Sequence, residues 1–205
     1  MGPAIYTQPF AGYEAGGGRW FRFISTTLTL QQPQASSGGP IAASISLQHG
    51  GLGGSSYAAL TVLSTGDRIM CSCGGSAFDI SPSYGDQLAL SIYYDRHGHD
   101  YFTVTDLTQH VSQTVREPVP VVVYDGAGLL GEADGVTPPS ADVRQWHFTS
   151  SHLTTYTGVH GTITGPWTTS KVIATSDGTA SGVVVQSPSR LHDGGQNFGV
   201  WLRHQ

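Results

Sequence analysis

The chain has 205 residues, of which 11 % are charged; it holds a single lysine, Lys171, and a formal net charge of -5. Charges this sparse cannot lace long exposed helices with ion pairs, and the lack of a basic stripe excludes a nucleic-acid surface. No apolar run reaches the ~18 residues of a membrane-crossing helix, so no membrane partner is expected. The 28 glycines suit short strands joined by tight turns. Nine histidines, a residue type that ordinarily titrates at pH ~6.5, imply that acidification is expected to make the molecule cationic.

Alternating and β-branched runs recur along the chain, and helical periodicity is almost absent. Trp20 to Ile24 leads into Thr27-Leu28-Thr29-Leu30, ending at Pro33. Ala43 to Gln48 and Tyr57 to Leu63 follow, and Gly66-Asp67 predicts a hairpin into Ile69 to Cys73. Cys71 and Cys73 face one way on such a strand, where they read as two small apolar residues and are badly placed for a mutual disulfide. Phe78 to Ser81 reads as extended, and Leu88 to Ile92 alternates without a break. The turn His97 to Asp100 joins it to Tyr101–Leu107, and Val111 to Val115 completes a meander.

Further strands are predicted at Val119–Tyr124, Arg144–Phe148, His152–Tyr156, Gly161–Thr164, Lys171–Thr175, Gly182–Gln186 and Phe198–Leu202. About a dozen short strands with close-spaced turns predict an all-β, antiparallel two-sheet β-sandwich. No repeat or break in composition divides the chain, so residues 1–205 are expected to form a single domain. Gly/Ser-rich or proline-bearing loops are expected at 31–40, 49–56 and 133–142. The opening residues show no charged segment followed by an apolar one, and Met1-Gly2-Pro3 reads equally as a native start or as a scar on a mature form. The composition resembles that of extracellular proteins, so a secreted location is expected.

Several segments carry a resemblance to one family. Ile80 to Ile92, with Gly85-Asp86 at its turn, resembles the "I-S-x-G-D-x-x-x-L-x-V" segment of the glutamic endopeptidases, or eqolisins (peptidase family G1). Thr103 to Val115 resembles their "A-x-I-x-N-x-T-x-x-x-x-x-T". Gly131-Glu132-Ala133-Asp134 sits where the family has "A-E-W-I-x-E", and Trp146 to Ser151 resembles its "F-G-x-V-x-F" strand. The likeness covers roughly residues 75–165. It implies a jelly-roll or concanavalin A-like pair of sheets around a curved groove, a peptide substrate, and a catalytic Gln-Glu dyad acting on water.

The resemblance points to Glu132 as the acid. It follows the apolar Gly128-Leu129-Leu130 and is one of three glutamates in the chain. As a carboxylate it would take a proton from the attacking water; as an acid it would protonate the leaving amine. Gln48, in Leu47-Gln48-His49-Gly50, matches the family's "L-Q-T-G", and its amide would steady the water or the oxyanion. A second alignment stays open. In it Ala43 to Gly50 replaces the family's "A-W-V-G-I-D-G" strand, and the glutamine position falls near Val62 or Leu63. The family's "A-W-Y-E-W-Y-P" run has no counterpart here.

Tyr57, Tyr94 and Trp146 are the candidate substrate-binding aromatics. A groove of aromatics would also stack on sugars, which makes a glycan-binding module the alternative; the competing fate of each ring is the core. A third reading is a self-associating structural protein, since few charges guard the edge strands against homo-oligomer formation. His97, His99 and Asp100 form an H-x-H-D set that reads as a metal site or as solvated turn residues. No P-loop, dinucleotide fingerprint, EF-hand or nucleophile elbow is present, so no cofactor is expected.

Overall fold

A computed structural model describes residues 1–7, 9–31, 41–50, 56–65, 68–73, 76–133 and 143–203. Side chains are described for these residues except 56–57, 65, 68–69, 133 and 143–145. The predicted turn at Gly66-Asp67 and most of the three predicted loops lie outside this set.

The strands in chain order are β1 (Ile5–Thr7), β2 (Phe10–Gly16), β3 (Phe21–Thr29), β4 (Ile41–His49), β5 (Ser56–Thr65), β6 (Arg68–Cys73), β7 (Ser76–Ala77) and β8 (Gln87–Tyr94). They continue as β9 (His99–Asp106), β10 (Val111–Pro118), β11 (Gly126–Ala133), β12 (Val143–Thr155), β13 (His160–Gly161), β14 (Thr168–Thr175), β15 (Val184–Pro188) and β16 (Phe198–Leu202). Among the described residues there is no α-helix, and no helix is long and apolar enough to cross a membrane.

Hydrogen bonds link the strands in the order β10-β9-β8-β3-β12-β16-β15-β14-β2-β11-β4-β5-β6-β7, with β1 on β14 and β13 on β12. All these pairings are antiparallel except β1 with β14. The ribbon folds back on itself, because β3 and β8 pack on β4, β8 packs on β5, and β11 packs on β12. The result is an antiparallel two-layer β-sandwich, as the alternation predicts.

The core lies between the layers and is built by strict alternation. β8 sends in Leu88, Leu90 and Ile92, and β9 sends in Phe102 and Val104. Facing them are Ala43, Ile45 and Leu47 of β4 and Leu60 and Val62 of β5, while Ala127 and Leu129 of β11 and Ala11, Tyr13 and Ala15 of β2 also point inward. Cys71 and Cys73 are buried free thiols on the inner face of β6, which agrees with their reading as small apolar residues.

Four segments depart from the sequence reading. Phe78 to Ser81 belongs to no strand; it opens the crossover from β7 to β8 in the opposite layer, anchored by the Phe78 N–H on Cys71 O at 2.9 Å and by burial of Phe78 and Ile80. Val119 to Tyr124 is likewise a crossover, from β10 to β11, and Pro118 and Pro120 deny it ladder donors. The two strands predicted at 144–148 and 152–156 are one, β12, whose register against β3 shifts between Thr149 and His152, where Ser150 takes a positive φ of 54°. Gly161 to Thr164 shrinks to the short β13 followed by a turn. The sequence reading also missed β2 altogether: Phe-Ala-Gly-Tyr-Glu-Ala-Gly is too rich in Gly and Ala to announce a strand.

Candidate functional site

Strand order places β11 between β2 and β4. In register, Gly128 stands opposite Glu14 on one side and Ser46 on the other, and Gly126 stands opposite Gln48. Directly paired residues point to the same face, so Glu14, Ser46 and Gln48 all leave the sheet on the side away from the core. They are nevertheless buried, at 8 %, 5 % and 5 % exposure. Three buried polar side chains on the outer face of a sheet demand an account, because each loses hydration there.

The two glycines supply the geometry. A Cβ on Gly126 would stand 3.3 Å from Glu14 Oε1 and 3.6 Å from Gln48 Oε1. One on Gly128 would stand 2.9 Å from both Gln48 Nε2 and Ser46 Oγ. The carboxyl of Glu14 and the amide of Gln48 therefore lean in from opposite sides over a floor of bare backbone. The Gln48 Nε2–H group donates to Ser46 Oγ at 2.8 Å, while Gln48 Oε1 is buried with no hydrogen-bond partner among the described residues.

The end of β4 is clamped where Gln48 sits. Asp125 N–H donates to Gln48 O at 2.9 Å, Gly50 N–H donates to Asp125 Oδ1 at 2.8 Å, and the His49 ring Nδ1 lies 2.9 Å from Val123 O. The segment entering β11 thereby holds the segment leaving β4.

Glu132 and Gln48 are not brought together. Both face the same side, but Glu132 pairs with Ala42 while Gln48 pairs with Gly126. Six residues of extended strand separate the two positions, about 20 Å at ~3.3 Å per residue. The acid that shares the Gly126 floor with Gln48 is Glu14, from the strand the sequence reading did not find. In the other alignment, Val62 points into the core and Leu63 is half-buried; neither has an amide to offer.

The aromatics divide differently from their reading as a binding surface. Trp146 is 1 % exposed and lies against Gly131, whose Cβ would meet its Cδ1 at 2.8 Å. Tyr94 is also 1 % exposed, edge-on to Tyr124 with centroids 5.4 Å apart, and its hydroxyl accepts from Val122 N–H at 3.2 Å. Both fill the interior because their strand positions face inward. Tyr57 opposes Gln48 in the β4–β5 register, and its side chain lies outside the described residues.

Alternation also splits the H-x-H-D set. His97 is exposed in the turn, His99 points outward at the start of β9, and Asp100 points inward with no exposure. His99 Nε2 accepts from Arg116 Nη2 at 2.8 Å, which leaves Nδ1–H to donate to Asp95 Oδ2 at 3.1 Å. Among the described residues no cluster of three His, Cys, Asp or Glu side chains could hold a metal ion.

This architecture is shared with solved peptidases. The chain is similar to SCP-B, a member of the eqolisin family of peptidases solved in a complex with the tripeptide Ala-Ile-His, at 13 % identity and a TM-score of 0.71 over 94 % of this chain and 96 % of that one. It is similar to scytalido-glutamic peptidase with a transition state analog inhibitor, at 15 % identity and a TM-score of 0.66 over 94 % and 97 %. Aspergilloglutamic peptidase from Aspergillus niger matches at 18 % identity and a TM-score of 0.51 over 80 % and 98 %. No protein-family model and no curated protein matches the sequence. The chain thus has the eqolisin fold over nearly its whole length, in agreement with the resemblance drawn from its motifs.

Proposed function

We propose that this protein hydrolyses peptide bonds through a carboxyl–amide pair formed by Glu14 and Gln48. The observation that carries the reading is their convergence over the Gly126–Gly128 floor, on a fold whose solved relatives include a peptidase bound to a tripeptide. The chemistry is that expected of a glutamate–glutamine dyad, with the acid supplied by β2.

Ionised Glu14 takes a proton from water as the water oxygen bonds to the scissile carbonyl carbon. The carbonyl π electrons move to oxygen, and Gln48 Nε2 donates a hydrogen bond to that oxyanion. Ser46 Oγ already accepts one Nε2 hydrogen, which fixes the amide plane and presents the other. As the carbon–nitrogen bond breaks, protonated Glu14 passes its proton to the leaving amine. The missing side chains at Gly126 and Gly128 leave the room that the Glu14 carboxyl and the Gln48 amide occupy.

The test is cleavage of an unfolded protein substrate at acidic pH by four proteins: wild type, Glu14→Gln, Gln48→Ala and Glu132→Gln. Activity is expected to fall at least about 100-fold in the first two variants and to persist in Glu132→Gln. Loss in Glu132→Gln with retention in Glu14→Gln would return the acid to β11. A wild-type protein that cleaves nothing would end the hydrolase reading.

A further inference from the structure

The mouth of the sandwich between β5–β6 and β9–β10 holds a cavity of about 570 Å³. That volume lies within the ~300–1,000 Å³ range of small-ligand sites. Its walls carry the apolar Ala58, Phe102 and Val119 and the acidic Asp100 and Glu117, and among the described residues no lysine or arginine lines it.

The two acids are neighbours by construction. Glu117 of β10 stands directly opposite Asp100 of β9, so both side chains leave the sheet on the inner face. Each is held by one neighbour. Tyr124 Oη donates to Asp100 Oδ2 at 2.7 Å, and Ser76 Oγ donates to Glu117 Oε1 at 2.6 Å. Asp100 is completely inaccessible to solvent, yet its Oδ1 has no hydrogen-bond partner among the described residues. A buried carboxylate oxygen facing a second acid without a cation costs stability unless something arrives to meet it.

From this geometry we infer that the cavity is a binding site for an alkylammonium group, such as a lysine side chain presented by a peptide or partner protein. A primary ammonium has three donors and no acceptor, which matches the Glu117 carboxylate and the buried Asp100 carboxyl paired with it across the β9–β10 ladder. Its aliphatic stem matches Ala58, Phe102 and Val119. A divalent metal is disfavoured, since calcium takes six to eight oxygens and two carboxylates are available. Burial also pushes the Asp100 carboxyl up to about 6 against the lowering effect of the Tyr124 hydrogen bond, with the Asp95 charge adding to the rise. That is the condition of an acid awaiting a counter-charge.

The test is calorimetric and NMR titration at pH 7.5 with Nα-acetyl-lysine methylamide. Nα-acetyl-norleucine methylamide serves as the uncharged isostere, and calcium chloride as the metal arm. The lysine probe is expected to bind wild type and to shift the Ala58 and Val119 amides. It should bind at least 10-fold more weakly to Asp100→Asn and to Glu117→Gln, while Glu14→Gln binds it as wild type does. Glu117→Gln carries the test should Asp100→Asn fail to fold, since Glu117 lies at the rim. Equal binding of the norleucine probe, tighter binding of calcium, or unchanged affinity in Glu117→Gln would each overturn the inference. Because Glu14 takes no part, this outcome is independent of whether the chain cleaves peptides.

Discussion

Glu14 stands directly opposite Gly128 across the β2–β11 ladder, so β11 places no side chain beside the acid in that row. Gln48 uses the same opening from β4, with Nε2 at 2.9 Å from where a Gly128 Cβ would be.

Gly128→Ala therefore probes the pair without removing either member. The new methyl meets Gln48 Nε2 and Ser46 Oγ, both at the ends of movable side chains. The fold is expected to survive at a cost of about 1–3 kcal/mol. The amide is pushed aside, and a displacement of that size lowers turnover by about 100-fold if the pair performs the chemistry. Thermal unfolding and peptide cleavage on the same preparation check both halves. Full activity in a folded Gly128→Ala protein would show that the amide position does not matter.

Gly12→Ala is expected to behave in the opposite way. Here a Cβ would fall 2.0 Å from Leu129 O, a backbone atom of the neighbouring strand that cannot step aside. A loss of at least about 3 kcal/mol is expected, because β2 and β11 must separate to admit the methyl. Urea denaturation measures it; a midpoint close to wild type would mean that β2 does not pack on β11 as described.

Asp100 makes stability fall with rising pH. Its carboxyl sits at about 6 in the folded chain against an ordinary 3.8, so the native state holds the proton more tightly than the unfolded state does. That contribution is complete below about pH 3.8 and is lost as pH climbs through 6, worth about 3 kcal/mol in all. Tyr124 and Glu117 face Asp100 and remain in the Asp100→Asn variant, which abolishes the decline. Asp86 acts with the other sign: Ser83 N–H and the Gln109 amide hold its carboxyl below the usual range, so its contribution is present at neutral pH and lost on acidification. The wild-type minus Asp100→Asn difference in denaturation midpoint between pH 4 and 7 isolates the Asp100 slope; a flat difference would refute it.

The two thiols are expected to be inert in the folded protein. Burial, with the Asp106 charge behind it, pushes Cys71 up to about 12, and burial with the Glu117 charge pushes Cys73 up to about 11. At pH 8 almost no thiolate is available to attack a disulfide reagent. Ellman's reagent should label neither cysteine until guanidinium unfolds the chain, and then both. Rapid native labelling of Cys73 would show that the β6 edge opens.

The class of fold was legible because alternation is a local signal. Leu88 to Ile92 and the meander after it declare their inner and outer faces in the order of their residues, and the structure pairs them as β8, β9 and β10. Phe78 to Ser81 and Val119 to Tyr124 misled for the same reason. An extended apolar segment looks alike whether it joins a ladder or crosses between layers, and only prolines, Pro82 after the first segment and Pro118 and Pro120 around Val119, hinted at the difference.

By itself, then, the chain of residues determined the β class, most of the strands and the inward set of side chains, since each follows from neighbours two apart along one strand. The candidate site follows from nothing so local. Glu14, Gln48 and Gly128 are far apart in sequence and meet because strand order inserts β11 between β2 and β4. Register then decides that Gln48 answers to Gly126 and Glu132 to Ala42. Pairing between distant strands depends on backbone hydrogen bonds that any residue can make, so only the assembled sheet could decide which acid the amide would face.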